Sequence, residues 1–159
     1  MISILERTAK SKKASFSLKI ISHASTLICV IAYLGMLVFS FLKDKGALPM
    51  LIVGAGVPFV LVSIARRLID APRPYELYDF YPRRPKDKHG ASFPSRHVFS
   101  AFVIGTLAFS CSVPLGIAVS VLGITLSVSR VLLGIHFVRD CVAGALIGVL
   151  SGVLSILLF

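Results

Sequence analysis

Long apolar segments constrain the fold of this chain more than any other feature of its sequence. Five of them occur in succession, over residues 20–42, 47–64, 98–112, 114–133 and 141–159. Hydrophobic residues make up 56% of the 159 residues, which is more apolar surface than a soluble domain of this size can bury. A helix needs roughly 17–25 residues to cross a bilayer. The sequence therefore predicts an all-α, polytopic transmembrane helical bundle with about five spanning helices, forming one domain over residues 1–159.

Basic residues precede the first apolar segment. Residues 1–19 contain Arg7, Lys10, Lys12, Lys13 and Lys19, with only Glu6 of opposite charge. Interspersed apolar side chains predict either an amphipathic segment in the membrane interface or a solvated basic tail that fixes topology. The net charge of +10 is concentrated at the ends of apolar segments, so we expect the bilayer and an anionic lipid headgroup as partners, and no nucleic acid.

Ionisable residues stand at the ends of the apolar segments in three clusters. They are Arg66, Arg67 and Asp70 with Arg73-Pro74; Pro94-Ser95-Arg96-His97; and Ser129-Arg130 with His136 and Asp140. If all five segments cross the membrane, their alternating directions bring the three clusters to one face. Charges beside or within spanning helices are costly, so this convergence indicates a functional site.

The residue types in these clusters fit phosphate chemistry. Ser95 begins an apolar segment, where the free amides of a helix start favour an anion. His97 and His136 can supply a proton donor and a nucleophile. Asp140 follows His136 by four residues, a spacing that lets it hold one tautomer of the imidazole. Guanidinium groups that match phosphate oxygens come from four arginines: Arg66, Arg73, Arg96 and Arg130.

Together the clusters resemble the three motifs of the type 2 phosphatidic acid phosphatase superfamily, which shares its core with vanadium haloperoxidases. The first motif, Lys followed by six residues and Arg-Pro, reads here as Arg66 and Arg73-Pro74. The second, Pro-Ser-Gly-His, has Arg96 in place of glycine. The third, Ser-Arg, five residues, His, three residues and Asp, is matched fully over residues 129–140. The matched core covers about residues 65–140, and only Arg66 and Arg96 depart from the motifs.

The resemblance implies a mechanism through a phosphohistidine. It assigns the nucleophile to His136, the orientation of that ring to Asp140, and proton transfer at the leaving oxygen and then at water to His97. The same resemblance assigns phosphate binding to Arg66, Arg73, Ser95, Arg130 and the backbone amide of Arg96. The Arg96 side chain either adds a contact to phosphate or narrows the choice of substrate. No carboxylate cluster suited to Mg²⁺ is visible in the sequence, so neither a metal nor another cofactor is expected.

A membrane lipid phosphatase is the expected function, and a non-catalytic lipid-binding or transport membrane protein is the alternative. Phosphatidylglycerol phosphate, phosphatidic acid and a polyprenyl pyrophosphate all fit as substrates, and the oligomeric state stays open. Lys and Arg are more frequent on the face that carries the N-terminus and the site, which predicts a cytoplasmic site. One span more or fewer would reverse this prediction and place the site on the outer side. A basic loop is expected to contact anionic headgroups through Arg83, Arg84, Lys86 and Lys88.

Overall fold

Every regular element in the described part of the chain is an α-helix. The computed structural model describes residues 2–43, 45–79 and 89–159, so the basic loop predicted over residues 83–88 lies outside the described residues. The helices are α1 Ile2–Lys10, α2 Lys12–Lys43, α3 Ala47–Ile69, α4 Pro74–Leu77, α5 Arg96–Cys111, α6 Val113–Leu132 and α7 Val138–Leu158. The predicted all-α polytopic bundle is confirmed.

Four helices, α2, α3, α6 and α7, are long and apolar enough to cross a membrane, whereas α5 is a shorter apolar helix of 16 residues. The first of them starts earlier than its apolar pattern predicts. Helix α2 begins at Lys12, ahead of the predicted start at Ile20. Lysine is a good helix former, and its long side chain reaches the polar interface while its stem covers apolar surface. The basic N-terminal segment is therefore helical.

Helix α5 lies at the centre of the bundle and packs against α2, α3, α6 and α7. Phe99, Leu107 and Ala108 on this helix are fully buried. The glycines of α7 that recur every four residues face it, and a Cβ added at Gly148 would lie 2.6 Å from the carbonyl oxygen of Phe99. Small residues at such positions let membrane helices approach closely. The backbones of α5 and α7 are consequently in near contact.

The alternating directions of the helices bring the three sequence clusters to one end of the bundle. At the opposite end, the Ser155 hydroxyl of α7 donates a hydrogen bond to the Met50 carbonyl of α3 at 3.0 Å. At the cluster end, Thr26 of α2 and His97 of α5 line the same cavity. The first half of α2 and the three clusters therefore lie at the same end of the molecule.

Candidate active site

His136 and Asp140 form the buried centre of this end of the bundle. His136 lies in the connection after α6, and Asp140 lies in the first turn of α7. The carbonyl of Arg130 accepts hydrogen bonds from the amides of Ile135 and His136 at 3.0 and 3.4 Å, which fixes the path of this connection. The Nδ1 atom of His136 is 3.6 Å from Oδ2 of Asp140, which is longer than a hydrogen bond.

A serine outside the three motifs lies between this histidine and this aspartate. Ser92 is fully buried, and its hydroxyl donates to Oδ2 of Asp140 at 2.5 Å. The same oxygen lies 3.3 Å from Nδ1 of His136. A hydroxyl has one proton, so an oxygen that donates to the carboxylate accepts from Nδ1–H of the ring. This arrangement leaves the lone pair on Nε2 of His136, as a nucleophilic imidazole requires.

Electrostatics around His136 favour the neutral ring. Burial has the largest effect and lowers the pKa of His136 below its usual value near 6.5. The nearby Asp140 raises that pKa, and the charges of Arg73 and Arg66 lower it. The net lowering means that the imidazole is largely unprotonated near neutral pH and can attack an electrophile.

Arg66 and Arg73 from the first motif hold the segment that carries Ser92. Arg66 donates from Nη2 to the carbonyl of Ala91, and Arg73 donates from Nε to the carbonyl of Gly90 at 3.0 Å. Each guanidinium has five N–H donors, so these bonds leave further donors for an anion. The two arginines therefore have a structural contact as well as a capacity to bind phosphate.

The second motif opens α5. Ser95 is its N-cap residue and is fully buried beside the Cys141 thiol, with no hydrogen bond of ordinary geometry from its hydroxyl. The Ser95 amide donates to the carbonyl of Asp140 at 2.9 Å, which joins the starts of α5 and α7. His97 lies in the first turn of α5, within electrostatic range of Arg130 and His136. The structure thus brings the second and third motifs together.

Arg96 takes a different direction from the other arginines. Its Nη1 atom is 3.5 Å from the Ser63 hydroxyl oxygen, and its guanidinium carbon is 5.2 Å from the centre of the Phe59 ring. Both partners belong to α3. The charge of Arg96 still acts on Arg66, as do the charges of Arg73 and Arg130. All eight predicted site residues therefore lie at this end of the bundle, with the Arg96 side chain turned towards α3.

Positive charge in the site comes from guanidinium groups. Within residues 2–43, 45–79 and 89–159, no three His, Cys, Asp or Glu side chains are grouped so that they could hold a metal ion. The charges of Arg66 and Arg73 act on the buried imidazole of His136, and their guanidinium donors suit the oxygens of a phosphoryl group.

The PAP2 superfamily model matches residues 47–159, a range that includes all eight predicted site residues. The chain belongs to the PAP2 superfamily. This PAP2 domain is part of a multi-pass membrane protein. Helices α1 and α2 precede the matched range.

Solved structures share this PAP2 fold over most of their length. LpxE from Aquifex aeolicus superimposes with a TM-score of 0.73 at 24% identity, covering 96% of this chain and 90% of that one. A PAP2-type phosphatidylglycerolphosphate phosphatase from Bacillus subtilis gives a TM-score of 0.72 at 24% identity, covering 98% and 82% of the two chains. These likenesses establish the fold.

A sequence relative is similar over a shorter region. The bacitracin transport permease protein BcrC of Bacillus licheniformis is 43% identical over 60 residues. That region is 38% of this chain and 30% of the permease, so the chain matches less than a third of this relative's length.

Proposed function

We propose that this PAP2 protein is a membrane lipid phosphatase that hydrolyses a phosphate monoester or a pyrophosphate of a lipid through a phosphohistidine at His136. The observation that carries the proposal is the buried array of His136, Ser92 and Asp140 near Arg66 and Arg73, in which burial lowers the pKa of His136 and so favours the neutral imidazole. A nucleophilic histidine needs this protonation state, and a phosphoryl group needs this density of positive charge. Membership of a superfamily named for a phosphatase supports the same activity.

In the proposed reaction, Nε2 of His136 attacks phosphorus while the bond from phosphorus to the lipid oxygen breaks. His97 gives a proton to that leaving oxygen. Asp140, through Ser92, stabilises the positive charge that develops on the imidazole. His97 then removes a proton from water as the water attacks the phosphohistidine, which releases inorganic phosphate and restores His136.

Arg66, Arg73 and Arg130 bind the non-bridging oxygens in this proposal, with help from Ser95 and the amides at the start of α5. Phosphoryl transfer depends mainly on positioning and on neutralising the oxygens, both of which fixed guanidinium groups provide. We therefore propose that hydrolysis proceeds without a metal ion.

The proposed substrates are phosphatidylglycerol phosphate, phosphatidic acid or a polyprenyl pyrophosphate, each with its lipid chain in the bilayer. The Bacillus subtilis neighbour is named for the first of these, and it shares the fold of this chain. The excess of Lys and Arg on the site face supports a cytoplasmic site.

A non-catalytic transport or lipid-binding protein is the second candidate, because BcrC is named as a transport permease. Such a protein has no need for a buried nucleophile–serine–carboxylate array. Loss of His136 would leave its lipid binding largely intact, which separates the two functions.

The test is phosphate release by purified protein in detergent with EDTA, over the three lipid classes. Wild type and His136→Ala are compared with His23→Ala, a matched control whose ring lies on α2 and contacts the Lys19 carbonyl at 2.7 Å. We expect metal-free release by wild type and the control, and a loss of about 1,000-fold or more in His136→Ala. Equal activity in His136→Ala, or no release from any lipid by wild type, would move the transport function to first place.

A further inference from the structure

Arg96 is a cation that the phosphohistidine reaction does not require. It stands where the family motif has glycine, so the reaction proceeds in relatives without this side chain. Its guanidinium is half-buried between α5 and α3, against Phe59 and at the long limit of a hydrogen bond to Ser63. In the described part of the chain, no carboxylate pairs with it. A half-buried cation without a counter-ion is costly in a membrane protein, and an anionic ligand would offset that cost.

A cavity of about 180 Å³ adjoins Arg96 on the membrane side of the site. Arg96 and His97 form its polar end, and Cys29, Ile104 and Leu126 line its apolar remainder. Ile104 is about two helical turns along α5 from His97, so the cavity extends from the site into the apolar part of the bundle. It can hold a charged group at one end and the first carbons of a lipid chain at the other.

The position of His97 identifies which part of the substrate enters this cavity. In the proposed function, His97 protonates the oxygen that leaves when His136 takes the phosphoryl group. The leaving group therefore lies on the His97 side of the reacting phosphorus. Arg96 precedes His97 in the chain and lines the same cavity, so it faces the leaving group rather than the phosphoryl group that is transferred.

We propose that Arg96 binds a second phosphate, the one that stays on the lipid as part of the leaving group, and that the substrate is a lipid diphosphate. This inference rests on the proposed phosphatase function and narrows its substrate class. A lipid monoester places neutral carbon where Arg96 lies, whereas a diphosphate places an anion next to the leaving oxygen. The guanidinium matches that anion in charge and geometry.

The step balances without a further reactant. A bond forms between Nε2 of His136 and the terminal phosphorus, and the bond from that phosphorus to the bridging oxygen breaks. The electron pair stays on the bridging oxygen, which takes a proton from His97. Arg96 offsets the charge on the departing lipid monophosphate, and water then cleaves the phosphohistidine to inorganic phosphate.

The test compares farnesyl diphosphate with farnesyl phosphate, which share one chain and differ by one phosphate. Phosphate release in detergent gives kcat/KM on both for wild type, Arg96→Gly, which restores the motif residue, and Arg96→Lys, which keeps the charge. Arg67→Ala is the control, because Arg67 lies exposed in the last turn of α3, outside the proposed site. Phosphatidylglycerol phosphate is a third substrate, since its second phosphate lies farther from the leaving oxygen.

We expect wild type and Arg67→Ala to prefer the diphosphate, and Arg96→Gly to lose about tenfold to a hundredfold of that preference, with a smaller loss in Arg96→Lys. An unchanged preference, an equal loss on both farnesyl substrates, or a loss confined to phosphatidylglycerol phosphate would overturn the assignment. If Arg96→Gly does not fold, the preference of Arg96→Lys is compared with that of wild type instead. Absence of release from every substrate by wild type would instead overturn the proposed function.

Discussion

At the scale of single residues, the geometry around His136 depends on Ser92. The imidazole and the Asp140 carboxylate are too far apart for a direct hydrogen bond, at 3.6 Å, and the Ser92 hydroxyl contacts both. We propose that Ser92 is a positioning residue, which transmits the carboxylate charge to the ring and fixes its tautomer. Its removal would leave Asp140 in place and 3.6 Å from the ring, but without the hydroxyl that bridges the two groups.

Replacing Ser92 with alanine tests this coupling. We expect Ser92→Ala to lower kcat by about tenfold to a hundredfold with little change in KM, because the lost hydrogen bonds matter most when the ring becomes charged. Ser92→Thr keeps the hydroxyl and should recover part of the rate. Ser155→Ala is the matched control, since Ser155 is also buried and hydrogen-bonded, at the far end of the bundle. A higher KM with unchanged kcat, or an equal loss of kcat in Ser155→Ala, would contradict the proposed role.

The placement of the motif residues at one end of the bundle could be predicted from sequence, whereas the placement of Ser92 could not. Arg130, His136 and Asp140 lie at the end of α6, in the connection and at the start of α7, and their spacings can be recognised in the sequence. Ser92 reaches them through a loop whose path depends on Arg66 binding the Ala91 carbonyl. Its sole sequence signal is its place three residues before Ser95. The turn of Arg96 towards α3 likewise depends on packing against Phe59.

At the scale of elements, the contact between α5 and α7 sets the distance between the two histidine-bearing segments. A Cβ at Gly144 would lie 2.6 Å from the carbonyl oxygen of Ser95, so α7 has no room for a larger residue there. The Ser95 amide also donates to the Asp140 carbonyl. A shift of α7 therefore moves Asp140 relative to His97.

Gly144→Ala should separate these helices. We expect a drop of about tenfold or more in kcat/KM, because a displacement near 1 Å in a phosphoryl-transfer site is costly, together with a lower melting temperature. Gly56→Ala is the matched control, since a Cβ on this glycine of α3 meets nothing within 4 Å. Thermal melting in detergent and phosphate release measure the two effects. Equal behaviour of the two variants would show that the α5–α7 contact does not hold the site.

Helix positions followed from apolar length, but two boundaries did not: α3 continues to Ile69, past the predicted end at Ile64, and α2 starts before Ile20. The pattern of the first segment places its start at Ile20, where charge ends, while α2 continues back to Lys12. Apolarity marks the part of a helix inside hydrocarbon, and backbone hydrogen bonding continues beyond it wherever the residues are good helix formers. Lys12, Lys13 and Lys19 meet that condition.

At the scale of the whole molecule, the alternating helices separate the site from the C-terminus. The site lies at the end where α3 and α6 finish, and α7 runs from it towards the opposite end, where Ser155 meets Met50. If α5 crosses the membrane with the four longer helices, the N-terminus and the site share one side and the C-terminus lies on the other.

Reporter fusions at the two termini test this topology. With the site in the cytoplasm, as the charge distribution predicts, an alkaline phosphatase reporter after Phe159 should be active and a fluorescent protein there should be dark. The same pair of reporters at the N-terminus should give the reverse result. Both termini on one side would contradict five spans, and a fluorescent C-terminal fusion would place the site outside.

The central claim is that the phosphoryl group passes through His136, and trapping it there is the most direct test. His97→Ala lacks the proposed base for the second step, and p-nitrophenyl phosphate needs no protonation of its leaving oxygen, so the intermediate should accumulate. After an alkaline quench, mass spectrometry of the intact chain and of its peptides should find a phosphoryl group on His136. The double variant that carries both His97→Ala and His136→Ala should have no such group. Continued phosphate release with no covalent phosphate, or a phosphoryl group on another residue, would contradict the account.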